Sequence, residues 1–159
     1  MRRVIGLDPG TARTGYAILD EDEQGTLAVV TFGVIETPPE ETLPQRLLLL
    51  YEQVRQLLLL HQPQSGAVEK LFFQRNVSTA IQVGQARGVI LLALAEAGIP
   101  VAEYTPNEIK QSVSGYGSAD KRQMQEMVRL LLGLSSRPQP DDAADALAVA
   151  ITHLNWKTF

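Results

Sequence analysis

No cysteine occurs in the 159 residues, and histidine occurs only twice, as His61 and His153. The first absence removes disulfide frameworks, thiolate metal sites and cysteine nucleophiles, and it suits a reducing cytoplasm. The second argues against a zinc centre, which draws on Cys and His ligands. No membrane span is expected either. The leucine runs at residues 47–50 and 57–60 are broken by polar residues that include Glu52 and Arg55, well short of the ~20 apolar residues a span needs. Asp8 interrupts the apolar start, so residues 1–7 do not read as a secretory leader. A basic total is also missing: the formal net charge is −4.

What remains is an ordinary soluble composition, 45% hydrophobic and 20% charged. A chain of this length suits one domain, residues 1–159, around one sizeable core. The charge is unevenly spread. Residues 20–41 hold seven acids (Asp20, Glu21, Asp22, Glu23, Glu36, Glu40, Glu41) and no base. Residues 70–129 hold seven bases against five acids. A nucleic-acid footprint needs a local basic face and not a basic total, although a solvated acidic edge explains the asymmetry equally.

Hydrophobic periodicity gives the element order. Residues 3–7 read as a strand ending at Asp8, followed by a Pro9-Gly10 turn. Residues 15–19 and 27–35 read as two more strands around a polar loop at 20–25. Short connections predict an antiparallel meander. A leucine-dense helix spans 43–61, stopped by Pro63, and residues 65–69 form a fourth strand. A long helix spans 76–97, ended by Gly98 with Pro100 beyond. Residues 101–104 form a fifth strand. A short helix follows Pro106, then a glycine loop at 115–117, a helix over 120–132, a Pro/Ser/Gln loop at 135–140, and a last helix from Asp141 or Asp142 to His153. A fourth strand parallel to the first needs a right-handed crossover. The class is α/β: a five-stranded mixed sheet, three strands antiparallel plus two parallel, flanked by helices on the ribonuclease H-like plan.

Four acids stand at element ends: Asp8, Glu69, Asp142 and Asp145. Asp8 and the acid that opens the last helix have plain structural accounts. Asp8 before Pro-Gly can be a turn residue, although strand ends in α/β sheets are favoured ligand positions. Asp141 or Asp142 can be the N-cap of the last helix, and acids there complement the helix dipole. Glu69 is harder to place, because buried glutamates are rare unless paired. Asp142 and Asp145, three apart, share a helix face. If the first and fourth strands are neighbours, Asp8 and Glu69 lie side by side, with the last helix over them. Clustered carboxylates repel unless a cation sits among them. Hard oxygen ligands suit Mg²⁺ or Mn²⁺, and two such ions about 4 Å apart would serve phosphodiester chemistry.

The segments Ile5-Gly6-Leu7-Asp8-Pro9-Gly10, Gly15-Tyr16, Glu69-Lys70-Leu71-Phe72, Gln85-Ala86-Arg87-Gly88, Gly115-Tyr116-Gly117-Ser118-Ala119-Asp120-Lys121 and Asp142-Ala143-Ala144-Asp145-Ala146-Leu147-Ala148 together resemble the RuvC family of Holliday junction endonucleases, collinearly over nearly the whole chain. The resemblance implies a ribonuclease H-like fold and a homodimer that resolves four-way DNA junctions by paired symmetric nicks, in homologous recombination and DNA repair. It implies hydrolysis dependent on Mg²⁺ or Mn²⁺, leaving 5′-phosphate and 3′-hydroxyl ends. It places the catalytic, metal-holding acids at Asp8, Glu69, Asp142 and Asp145, and it implies the RuvA–RuvB branch-migration complex as a partner.

Around these acids, Phe72 and Phe73 alternate, so only one faces inward. Both packing in the core is one reading; a ring stacked on an unpaired junction base is the other, and the resemblance gives that role to Phe72. Arg75 and Asn76 are candidate phosphate contacts. Lys110 and Lys121 flank the glycine loop and are otherwise simply solvated; the resemblance makes them DNA contacts. Ala80, Gly84 and Gly88 recur every four residues on the long helix, for close approach either to this chain's own sheet or to a second copy. Rival readings are an actin/sugar-kinase-like ATP-binding protein, for which the second domain and second phosphate hairpin are missing, a non-catalytic DNA-binding module, and an RNA-directed nuclease of the same fold.

Overall fold

The computed structural model of the protein describes residues 1–70 and 77–156. Strands β1 (Arg2–Asp8), β2 (Arg13–Glu21) and β3 (Leu27–Glu36) form the meander; helix α1 (Leu43–His61) leads to β4 (Ser65–Glu69), helix α2 (Val77–Glu96) to β5 (Val101–Tyr104), and α3 (Pro106–Ser114), α4 (Lys121–Leu132) and α5 (Asp141–Asn155) complete the chain. The sheet order is β3-β2-β1-β4-β5. β1 pairs antiparallel with β2 and parallel with β4, and β4 pairs parallel with β5. β2 extends to Glu21, two residues into the expected loop, because Asp20 is held by Arg3 at 2.8 Å across the β1–β2 ladder.

Side-chain alternation sorts β1 between two cores. Ile5 and Leu7 face α1 and α2, packing with Leu50, Val54, Ile90 and Leu94. Val4 faces the other way, into the layer built by α5 with α3 and α4. Leu147, Ile151 and Leu154 of α5 are fully buried there, each stabilising by roughly 1.5–3 kcal/mol relative to exposure. The alanines of α5 let its backbone settle onto the sheet. Gly6 lies directly beneath it: a Cβ on Gly6 would stand 2.7 Å from the Ala150 amide nitrogen.

α2 departs from the sequence expectation in two ways. By length and composition it could cross a membrane, with a mean hydropathy of 1.4 over its most apolar window, yet only 28% of that window is buried inside the chain. Its inner face carries Ala80, Ala86, Ile90, Ala93 and Leu94, with Arg87 buried among them. Its outer face is apolar too, with Val77, Ile81 and Leu92 exposed. Gly88 is exposed, and a side chain added there would meet nothing within 4 Å. The small residue at Gly88 is therefore not explained by packing on this chain's own sheet, whereas Ala80 is buried.

At the far end of the sheet from the acids, His153 is buried between Ser65 and Tyr104: its Nε2 lies 2.8 Å from Ser65 Oγ and its Nδ1 2.8 Å from the Tyr104 hydroxyl. Burial lowers its pKa to about 4. This imidazole is a structural hydrogen-bonding group, placed away from the carboxylates.

Candidate active site

The parallel register of β1 and β4 pairs Val4 with Ser65 and Leu7 with Val68, so Asp8 and Glu69 are the next positions along the two neighbouring strands. Both share parity with residues that face α5. The antiparallel register sets Gly15 opposite Asp8. A Cβ on Gly15 would run into the Asp142 carbonyl. That missing side chain lets the first turn of α5 descend over the strand end.

The consequence is a cluster. Asp8, Asp142 and Asp145 are each partly buried, and one carboxylate oxygen from each lies within 4.8 Å of the others. Glu69 stands just outside this tight group, near enough to raise Asp8 and to be raised by Asp145 electrostatically. Burial first, then repulsion from Asp145, Asp142 and Glu69, pushes the Asp8 carboxyl up to about 8. Burial, then Asp145, raises Glu69, with Lys110 opposing. Burial raises Asp145, with Lys121 opposing. The donors are carboxylate oxygens alone, matching the preference of Mg²⁺ and Mn²⁺. Carboxylates desolvated and crowded together, each made costlier to ionise by the others, fit a divalent cation as the partner that offsets their repulsion.

Neither acid at the start of α5 caps it. The N-cap is Pro140, without a side-chain cap hydrogen bond, so the N-cap account of Asp141 and Asp142 is set aside. Asp142 instead lies 3.6 Å from Arg13 Nε. Asp141 turns away, 3.2 Å from Lys121 Nζ.

A cleft of about 300 Å³ opens beside the cluster, lined by Glu69, Asp145, Lys110 and Lys121 above an apolar floor that includes Ile109 and Val128. Two capping boxes shape it. Thr105 and Glu108 close the start of α3, and Asp120 and Gln123 close the start of α4. Gly115 ends α3 with φ 89°, in the left-handed region that favours glycine. Lys121 thereby becomes the first residue of α4, and both lysines face the cleft.

Phe72, Phe73, Arg75 and Asn76 lie outside the described residues. Sequence reasoning missed two cations. Arg13 gives no signal beyond an exposed strand start. Arg87 is buried and donates from Nη1 to the Glu69 carbonyl oxygen at 2.6 Å, while its other arm pairs with Glu103. A charged residue amid an apolar helical run was its available signal, because such groups are rarely buried unless paired.

Comparison with known proteins agrees with this geometry. The family described as crossover junction endodeoxyribonuclease RuvC matches residues 4–153. A protein of that name from Roseiflexus sp. (strain RS-1) is 58% identical over 151 residues, covering 95% of this chain and 89% of that protein. Its namesake from Chloroflexus aggregans is 58% identical, covering 95% of this chain and 92% of that one. The solved structure of T. thermophilus RuvC in complex with a Holliday junction substrate superposes with a TM-score of 0.91 at 37% identity, covering 96% of this chain and 93% of that one. On the whole-length match and the shared fold, this chain belongs to the RuvC family of crossover junction endodeoxyribonucleases.

Proposed function

We propose that this chain is a structure-selective endonuclease that resolves four-way DNA junctions by paired symmetric nicks. The observation that carries the reading is the convergence of Asp8, Asp142 and Asp145, from a strand end and a helix start, to within 4.8 Å. Family membership supports it, as does the junction-bound relative of the same fold.

In this reading Asp8, Asp142 and Asp145, with Glu69 at the margin, would hold Mg²⁺ or Mn²⁺, two ions per site. When bound, such ions polarise the scissile phosphate and stabilise both the attacking and leaving oxygens. The chain's own part is to position. Asp8, whose carboxyl is raised by burial and by its acidic neighbours, would have to be deprotonated to serve as a ligand. Arg13 restrains Asp142, and Arg87 fixes the end of β4 and thus Glu69. Lys110 and Lys121 stand across the cleft as partners for phosphate oxygens. Hydrolysis in line with the departing 3′-oxygen leaves 5′-phosphate and 3′-hydroxyl ends. Phe72 takes the base-stacking role that the family resemblance implies, and Arg75 and Asn76, next to it in the chain, serve as phosphate contacts.

The active assembly is a homodimer built on the outer face of α2. Val77 (67% exposed), Ile81 (52%) and Leu92 (61%) recur at helical spacing with Gly84, Gly88 and Ala95, forming one apolar stripe. Large exposed apolar patches mark interfaces, and a two-fold enzyme suits a substrate with two-fold character. The compartment is the cytoplasm, and the RuvA–RuvB branch-migration complex is the partner that the resemblance implies.

The test incubates purified protein with a labelled four-way junction, a linear duplex and single-stranded RNA, with and without Mg²⁺ or Mn²⁺. Metal-dependent cuts at opposed positions in the junction alone support the reading. Cutting of RNA in preference to the junction favours an RNA-directed nuclease, and ATP turnover without cutting favours the kinase-like rival.

A further inference from the structure

Asp141 begins α5 one residue before Asp142, yet it stands apart from the acidic cluster because both of its oxygens are engaged elsewhere. Oδ2 lies 3.2 Å from Lys121 Nζ, and Oδ1 accepts from Gln125 Nε2 at 3.0 Å. These contacts join the first turn of α4 to the first turn of α5. The Asp120–Gln123 capping box fixes the backbone that carries Lys121, but the ammonium itself rides on a flexible four-carbon stem. A compact ammonium near desolvated carboxylates has a competing destination. It can fall in among Asp142 and Asp145 and occupy the place of a cation. Asp141 offers it a carboxylate outside that cluster.

We propose that Asp141 is a positioning residue that holds Lys121 at the rim of the cleft, facing incoming phosphate and clear of the carboxylates that would bind the divalent ion. The proposal rests on the nuclease reading for its consequence in cleavage, but not for its effect on metal binding. Both side chains are well exposed, at 59% and 62%, so the pair contributes little to stability and substitutions there leave the fold intact.

The experiment compares wild type, Asp141→Asn, Lys121→Ala and the double variant. Asn keeps the shape and the Gln125 contact but removes the charge. Mn²⁺ binding is measured without DNA by electron paramagnetic resonance, and junction binding without metal by fluorescence anisotropy. Single-turnover cleavage is then measured at saturating metal. Asp141→Asn weakens Mn²⁺ binding about fivefold, because Lys121 now competes, and the double variant binds Mn²⁺ like Lys121→Ala. Cleavage by Asp141→Asn falls about tenfold with metal-free junction affinity unchanged, the mark of a mispositioned group. Equal weakening of Mn²⁺ binding by Asp141→Asn whether or not Lys121 is present overturns the proposal, since loss of bulk negative charge would then explain it. Cleavage by Asp141→Asn at the wild-type rate overturns it as well. If wild type cuts no junction, the nuclease reading fails instead, while the Mn²⁺ comparison still reads the coupling of Asp141 to Lys121.

Discussion

Gly15 lies directly under the backbone of Asp142: the space where its Cβ would stand is filled by the Asp142 carbonyl. Two residues 127 positions apart by their numbers thus define how near α5 comes to the end of β1. A methyl group at residue 15 must push the first turn of α5 off the sheet, because backbone atoms offer no rotamer to yield. We expect Gly15→Ala to lose about 1–3 kcal/mol of stability and nearly all cleavage, with divalent-metal binding weakened in parallel. Calorimetric melting and metal titration check it; a variant with wild-type metal affinity would show that the approach of α5 does not set the site.

Asp8 should make the metal-free protein sensitive to pH. Its carboxyl is pushed from 3.8 up to about 8 in the folded state, so the folded protein binds this proton more tightly than the unfolded chain. The resulting stabilisation is full below the unfolded value and is lost as pH rises through about 8. Glu69 and Asp145 are raised and act in the same direction. His153, lowered from 6.5 to about 4, acts oppositely, losing stability as pH falls between those values, so the clean window lies above about pH 6.5. There the metal-free melting temperature falls with rising pH, and the gain on adding Mg²⁺ grows. Asp8→Asn flattens the metal-free curve and abolishes cleavage while leaving junction binding intact. A Mg²⁺ gain independent of pH, or unimpaired nicking by the variant, contradicts the assignment.

Arg87 supports Glu69 from below. Its guanidinium donates to the Glu69 main-chain carbonyl and pairs with Glu103. Arg87→Met keeps the apolar stem but removes the donors, leaving a carbonyl without its charged partner. We expect a loss of about 2–3 kcal/mol in chemical denaturation and slower cleavage through a displaced Glu69. Arg87→Lys recovers little, because one ammonium cannot span both acceptors. Full recovery by Lys would mean that charge alone matters there.

The stripe on α2 predicts the assembly. Leu92→Asp, on the exposed side, leaves the core untouched and places a charge on the proposed dimer face. Sedimentation should show a folded monomer for the variant and a dimer for wild type. Metal affinity should be retained while the paired nicking of opposed strands becomes independent. A variant that remains dimeric at the wild-type association constant places the interface elsewhere.

The amino-acid pattern by itself determined the ten elements found among the described residues and the class of the sheet, because alternation of period two and helical spacing are local properties of the chain. It also marked Asp8, Glu69, Asp142 and Asp145, since acids at element ends stand out against their apolar neighbours. Proximity was a matter for tertiary structure. The register of β1 against β4, and the missing Cβ of Gly15 opposite Asp8, bring one oxygen from each of three distant acids within 4.8 Å and leave Glu69 at the margin. The separate duties of adjacent Asp141 and Asp142 were equally illegible in sequence, because they depend on what lies across from each: Lys121 and Gln125 of α4 for one, Arg13 of β2 for the other. Sequence spacing fixes which face of its own element a side chain occupies, but only packing supplies the partner that gives that face its chemistry.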